Sequence, residues 1–405
     1  MLSLQKEEKE NMKKVLTVAL ALAMTVSLTA CSGGDGSSSA ESGSSVSSAV
    51  SDAGSSVDAS SADGSSEGVA DGETLNFQFC SKGLSNTWYQ VAIQGAEDRV
   101  KEINDEAGYE MIKLSCVGPD SQSDVAVQVQ QLNDAVNAGA DGIIVAPLDP
   151  SAVVAGLQSA ADAGVPVLAF DNVIPDAPEG SVAATVATDS YAASAIAGEH
   201  LYEKIADQLG KEQVRIGVVS WSSVSVSHVN RAEGLIDKIV ELADADGYTA
   251  AVTGHETFVT ECDSTESEEN ADIIIETRVP AQCTIELAAT EASALLNKSD
   301  TIALYCNTQD ACEAALTAND TLNVLGDGEG KILFVGFDAG SVQQSAVQRG
   351  VEFGAVNQNI AALGASAIDT LLAAVNGEEV SDVSPEALWW DAENYDTEEV
   401  QTAFY

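Results

Sequence analysis

The sequence predicts an α/β protein of two similar lobes, each a doubly wound parallel sheet. Three observations carry this. Short apolar runs alternate with longer segments whose apolar residues recur at helical spacing. The runs are apolar throughout, as strands covered on both faces are. And the β-α rhythm restarts near "VATDS", so that the set of elements is written twice.

The first set opens with "LNFQF" as a strand. Ala92, Ala96, Val100 and Ile103 then stripe a helix that Gly108 closes. "MIKLSCV" is the next strand, and Val125, Val129, Leu132 and Val136 stripe the next helix up to Gly139. "GIIVAPL", a helix through Val153 and Leu157 to Gly164, and "VPVLAF" complete the set. The second set is "VRIGVVS", a helix carrying Arg231, "YTAAVTG", a long acidic insertion from Glu256 to Ala281, "TIALYC", a helix, "KILFVGF", a helix and "VEFGAV". The tail "EALWWDAENYD" is expected to pack across the back, with Trp389 and Trp390 as packing residues.

The N-terminus has a different character. "MKKVLTVALALAMTVSLTAC" has two lysines, an apolar run too short for a comfortable membrane span, and small residues before Cys31. It resembles the signal and lipobox of bacterial lipoproteins, with 1–30 as signal peptide and Cys31 as the acylated residue. A plain signal peptide with an incidental Cys is the alternative. Met12 reads as the natural start, with residues 1–11 an extension. Residues 31–72 are rich in Ser, Gly and Asp and too poor in apolar groups to offset the entropy of ordering, so they read as a flexible tether. The expectation is a body held outside the cell membrane by its lipid alone, which lipoprotein acylation makes stable where one chain would not.

The 405 residues, 45% of them hydrophobic, suffice for two cores, and a net charge of −47 repels phosphate backbones, so no nucleic-acid partner is expected. Six further cysteines, Cys80, Cys116, Cys262, Cys283, Cys306 and Cys312, stand in an export context that permits disulfides. Cys80 and Cys116 end apolar runs and are possible neighbours; Cys262 and Cys283 bracket a polar insertion; buried free thiols are the other reading.

In open α/β sheets, ligands bind beyond the carboxyl ends of the strands. The residues at those ends are the Ser85–Tyr89 stretch, Asp171 and Asn172, Ser220 and Trp221, Asn307, Asp338, and Asn357 and Gln358. Carboxylates and amides suit the hydroxyls of a sugar, and an aromatic ring suits its C–H face. Other chemistries lack support. "GDGEGK" at Gly326 precedes a strand and lacks a phosphate loop's spacing. "DADG" at Asp244 has Leu242 where a calcium loop needs its first ligand. His200, His228 and His255 have no zinc partners at ligand spacing. No G-x-S-x-G occurs. Neither an enzyme nor a cofactor is expected.

Across roughly Thr74 to Gly377 the chain resembles the type I periplasmic sugar-binding proteins of ABC transporters, the ribose- and galactose-binding group. The resemblance rests on "SNTWYQVAIQGAED", "GADGIIVAPLDPSAV", "AADAGVPVLAFDN", "ATDSYAASAIAGEHL", "NRAEGL", "YCNTQDACEAAL", "VGFDAG" and "NQNIAALGASA", all in the family's order. It implies that fold, with hinge crossovers joining a lobe of 73–187 plus 359–386 to one of 188–358 plus 387–405. It implies a monomeric receptor that closes on a monosaccharide and delivers it to an ABC permease. The implied ligand-binding residues are Asn86, Trp88, Tyr89, Asp171, Asn172, Arg231, Asn307, Asp338 and Gln358, with Trp88 and Tyr89 stacking on the sugar. Thr87, Asn172, Thr308, Gln309 and Lys82 depart from the family's usual residues and leave the sugar open, a nucleoside or signalling sugar derivative being the second ligand class. A ligand-sensing transcriptional regulator shares the fold but needs a DNA-binding segment where this chain has a signal and an acidic linker.

Overall fold

The computed structural model describes residues 72–121 and 123–404. The signal segment, Cys31 and the tether as far as residue 71 lie outside the described residues. The first sheet takes β1 (Leu75–Cys80), β2 (Ile112–Val117), β3 (Gly142–Val145), β4 (Val167–Phe170) and β5 (Ala184–Val186), all parallel, in the order β2-β1-β3-β4-β5. Between them run α1 (Thr87–Ala107), α2 (Val125–Asn137) and α3 (Val154–Asp162). The continuous apolar runs explain why both faces are covered. Phe77, Phe79, Leu168 and Phe170 pack under α1, while Ile143, Val145, Val167 and Ala169 pack against Leu132 of α2 and Leu157 of α3.

After β5 the chain passes into a second sheet. Its elements are α4 (Ser190–Ile205), β6 (Val214–Val219), α5 (Val226–Asp246), β7 (Ala250–Gly254), α6 (Glu256–Glu261), β8 (Ile273–Arg278), α7 (Ile285–Leu296), β9 (Thr301–Cys306), α8 (Gln309–Leu322), β10 (Leu333–Phe337), α9 (Ser341–Gln348) and β11 (Gly354–Asn357). The chain then returns as α10 (Ile360–Val375), whose Leu363, Ala367 and Leu371 join the first core. It leaves again to add β12 (Leu388–Asp391) and α11 (Glu398–Thr402) to the second unit. The second sheet runs β12-β11-β10-β9-β6-β8-β7, parallel except at β12.

Two glycines of the motifs quoted above set how closely helices seat. A Cβ on Gly95 would lie 2.2 Å from the Ala361 carbonyl oxygen, and one on Gly234 would lie 2.1 Å from that of Tyr191. Only a residue without a side chain lets α10 cross α1, and α4 cross α5, at that distance.

Three expectations need correction, and one open alternative is decided. The stretch 256–281 is more than an insertion, because "IIIETR" inside it is β8, an interior strand between β6 and β7. Ser264 and Thr265, just before it, accept from the Val252 and Ala250 N–H groups and so cover the free edge of β7. The tail does not lie across the back. It pairs antiparallel with β11 as an edge strand, and Trp390 is fully buried. The buried stripe of α2 centres on Gln128, Leu132 and Ala135, with the valines at its margins. Lastly, no thiol is paired among the described residues. Cys116 stands opposite Phe79 in the β1–β2 register, so Cys80 points to the other face of the sheet. Cys262 is buried at the end of α6, whereas Cys283 is exposed beyond β8 with its thiol donating to the Trp221 carbonyl at 3.3 Å.

Candidate ligand-binding site

Both sheets have their order reversal beside their first strand, between β1 and β3 and between β6 and β9, and the polar residues gather at the carboxyl ends there. In the first lobe the centre is Asp171, directly after β4. Its backbone is left-handed, φ 65°, and its N–H donates to Val186 of β5 at 2.9 Å. One carboxylate oxygen takes both the Lys82 ammonium at 2.7 Å and the Tyr89 hydroxyl at 2.7 Å. Burial and the Asp171 charge hold the Tyr89 phenol well above its ordinary pKa, so it remains a donor. Asn172 is exposed, and the amide orientation that satisfies its neighbours sets its oxygen against Lys82 Nζ at 2.5 Å and its nitrogen against the Asp171 carbonyl at 3.2 Å. Trp88 is half-buried, edge-on to Tyr89 and Phe170 at centroid distances of 4.8 and 6.1 Å. Asn86 caps α1, its Oδ1 accepting from Tyr89 N–H at 3.2 Å.

The second lobe repeats the device. Asp338 directly follows β10 with φ 76°, and its N–H donates to Val356 of β11 at 2.7 Å. Its carboxylate accepts from Arg231 Nη1 at 3.4 Å, Gln309 N–H at 3.3 Å and Gln358 Nε2 at 2.9 Å. The Arg231 guanidinium also lies over the Phe337 ring, 3.8 Å from its centroid, and donates to the Asn307 carbonyl. Behind the site, the Trp390 indole donates to the Asp338 carbonyl at 3.2 Å, so the edge strand braces the aspartate. Gln358 accepts from Thr188 at 3.0 Å, which ties two crossover segments together. A recess of about 300 Å³ opens here, lined by Trp221, His228, Arg231, Thr308, Gln309, Asp310 and Asp338. Burial, then Glu313 and Asp338, raise the Asp310 pKa.

Of the nine residues read from the sequence, Asn86 caps α1 and Gln358 bridges Asp338 and Thr188, and the other seven divide. Trp88, Asp171, Asn172 and the Arg231–Asp338 pair border open space at the carboxyl ends. Tyr89 is 4% exposed, so it holds Asp171 from behind. Asn307 is 0% exposed with its amide committed to Trp221 N–H, Ser220 Oγ and the His228 carbonyl, which makes it a fastener of three segments. The nine omit Lys82, Trp221, His228 and Asp310, although Trp221 stood among the strand-end residues and Lys82 among the departures from the family pattern. Sequence reasoning also passed over Gln128, whose amide donates to the Ser81 and Ala146 carbonyls and accepts from Leu148 N–H, clamping the carboxyl ends of β1 and β3. A glutamine within an otherwise apolar helical stripe was its signal. No cluster of three or more His, Cys, Asp or Glu disposed to hold a metal occurs among the described residues.

Residues 77–379 match the family described as periplasmic binding protein domain. The chain belongs to the periplasmic binding protein family. Among curated relatives, this binding protein is 24% identical over 297 residues to the ribose import binding protein RbsB of Haemophilus influenzae, covering 73% of this chain and 84% of that one. RbsB of Bacillus subtilis is 34% identical over 111 residues, which is 27% of this chain and 33% of that one. Solved structures with the same fold include an ABC transporter, LacI family transcriptional regulator, from Brachyspira murdochii (24% identity, TM-score 0.66, 82% of this chain and 99% of that one). Another is a periplasmic ribose ABC transporter from Conexibacter woesei (19% identity, TM-score 0.63, 84% and 99%). The relatives are of the type I sugar-binding kind, as the motifs anticipated.

Proposed function

We infer that the protein is an extracytoplasmic binding lipoprotein that takes a monosaccharide between its two lobes, closes on it, and hands it to the permease of an ABC importer. One observation carries this: each sheet ends in an aspartate matched by a cation, Lys82 beside Asp171 and Arg231 beside Asp338. Each pair is charge-balanced, and the site is crowded with donors and acceptors, which suits the hydroxyls of a neutral polyol. A phosphate would face two carboxylates, and a metal ion would face two cations. Trp88 adds the apolar surface that a sugar's C–H face needs. The lobes, 73–187 plus 359–386 and 188–358 plus 387–405, would each supply half of the contacts. The closed form alone offers both halves, so ligand favours it. The names of the RbsB relatives support a sugar. The lipobox at Cys31 supports an anchor, with the monomeric body outside the membrane.

Calorimetry against D-ribose, D-allose, L-arabinose, D-fucose and D-galactose tests the reading, with adenosine as the nucleoside arm. A dissociation constant near the micromolar range, about −8 kcal/mol, is expected for one sugar. Binding of adenosine alone would move the ligand class to nucleosides, and silence across the sugars would overturn the monosaccharide reading.

A further inference from the structure

His228 stands in the first turn of α5, three residues before Arg231, so the two side chains rise from one helix face. Its carbonyl accepts from Asn307 Nδ2 at 2.7 Å, which pins the residue against the ends of β6 and β9. The half-buried ring lines the recess together with Trp221, Arg231 and Asp338. Its Nδ1 is buried and makes no hydrogen bond to the protein. Asp310 lines the same recess, and three of the other polar groups around the ring are engaged. Asp338 accepts from Arg231, Gln309 and Gln358, the Thr308 hydroxyl caps α8, and Asn307 is fully used. Burial, then the Arg231 charge, push the His228 pKa down to about 4 against the pull of Asp338, so the ring is neutral at pH 7. A neutral imidazole offers one donor and one acceptor. A buried nitrogen without a partner destabilises the free protein, a cost that a bound partner removes.

We propose that His228 is a specificity-determining residue of this site, which hydrogen-bonds a hydroxyl of the sugar and discriminates against sugars that lack it. The proposal rests on the sugar reading above. A hydroxyl is the match for this ring because it too both donates and accepts, whereas Arg231 and Asp338 already neutralise each other. Lobe closure, or a half-turn about the Cβ–Cγ bond, brings the unpaired nitrogen to the ligand.

The test compares the full-length wild type with His228→Phe and His228→Asn by calorimetry and thermal unfolding. The probes are whichever sugar of the panel binds the wild type most tightly and its monodeoxy derivatives. Phenylalanine keeps the ring's size and removes both nitrogens. Its affinity for the parent sugar should fall about tenfold or more, because the hydroxyl is left unpaired in a closed site. Its Tm should equal or exceed that of the wild type, because carbon replaces an unpaired buried nitrogen. One monodeoxy sugar should bind wild type and His228→Phe alike, which identifies the hydroxyl, and His228→Asn should recover part of the loss. Parent-sugar affinity within about twofold of wild type, or an equal loss for every deoxy derivative, would overturn the proposal and leave the sugar reading standing. A wild type that binds no sugar removes both.

Discussion

Trp88 and Glu352 bracket what a single residue does here. Trp88 is half-buried, wedged against Tyr89 and Phe170, with the rest of its surface toward the carboxyl ends. Trp88→Ala should weaken sugar binding by about 1–3 kcal/mol, as loss of an aromatic contact does. It should lower stability by less than the roughly 3–5 kcal/mol of a core tryptophan. Titration calorimetry and urea unfolding on the one variant separate the two. Glu352 is 1% exposed behind β10, one oxygen accepting from Gln343 Nε2 at 3.1 Å and the other unpaired. Burial, only partly opposed by that bond, pushes its pKa up to about 8 from 4.5. The folded state therefore holds a proton that the unfolded chain releases above about 4.5, so stability falls as pH rises from there to about 8 and then levels. Urea unfolding between pH 5 and 8.5 should reveal a loss on the order of a few kcal/mol, and Glu352→Gln should flatten that slope.

At the scale of elements, β8 accounts for most of what the sequence concealed. Its residues are apolar and β-branched, but their place depends on pairing with β6, far away in the chain, and no local pattern reports that. Within β8, Glu276 is buried and bonded to Arg215, Arg278 and Lys298, a knot of charge inside the segment read as an acidic insertion. Burial raises the Glu276 pKa, but the bonds from Lys298 and Arg278 outweigh it and hold the carboxyl below its ordinary value. Its share of stability is present above about 4.5 and is lost as pH falls through the lower folded value, opposite in sign to Glu352. Glu276→Ala leaves Arg215 buried without its closest partner, and a loss of about 3–5 kcal/mol in chemical unfolding is expected. The strands around it were legible from their runs, α1 from its stripe and α5 from its place in the β-α rhythm. At the site, the residue types after each strand were legible too. The Lys82–Asp171 pair and the saturation of Asn307 were not, because both depend on which loops the sheet order brings together.

For the whole molecule, the two halves repeat one plan. In each, the aspartate follows the fourth strand of the shared order and donates its N–H to the fifth. The segments that join the halves meet at Thr188 and Gln358, close to the Asp338 end of the site. Small-angle scattering should therefore record a smaller radius of gyration when the preferred sugar is added, and an unchanged one with a sugar that calorimetry finds inert. Anchoring belongs to this scale as well. Cys31→Ser should move the protein from the membrane fraction of its host to the medium or periplasm, and retention at wild-type levels would remove the lipid from the account.

The state of the thiols has a practical consequence. Burial pushes Cys80 and Cys116 up to about 12 and Cys262 higher still, so these three carry almost no thiolate at neutral pH and resist alkylation. Cys306 and Cys312 are fully buried. Cys283 alone among the described cysteines is exposed, and it sits against the backbone of Trp221, at the wall of the recess. A polarity-sensitive dye attached there would change its emission as that wall gains a ligand or an opposing lobe. With Cys31 replaced, the chain is thus already laid out as a single-label fluorescent sensor for whatever it binds.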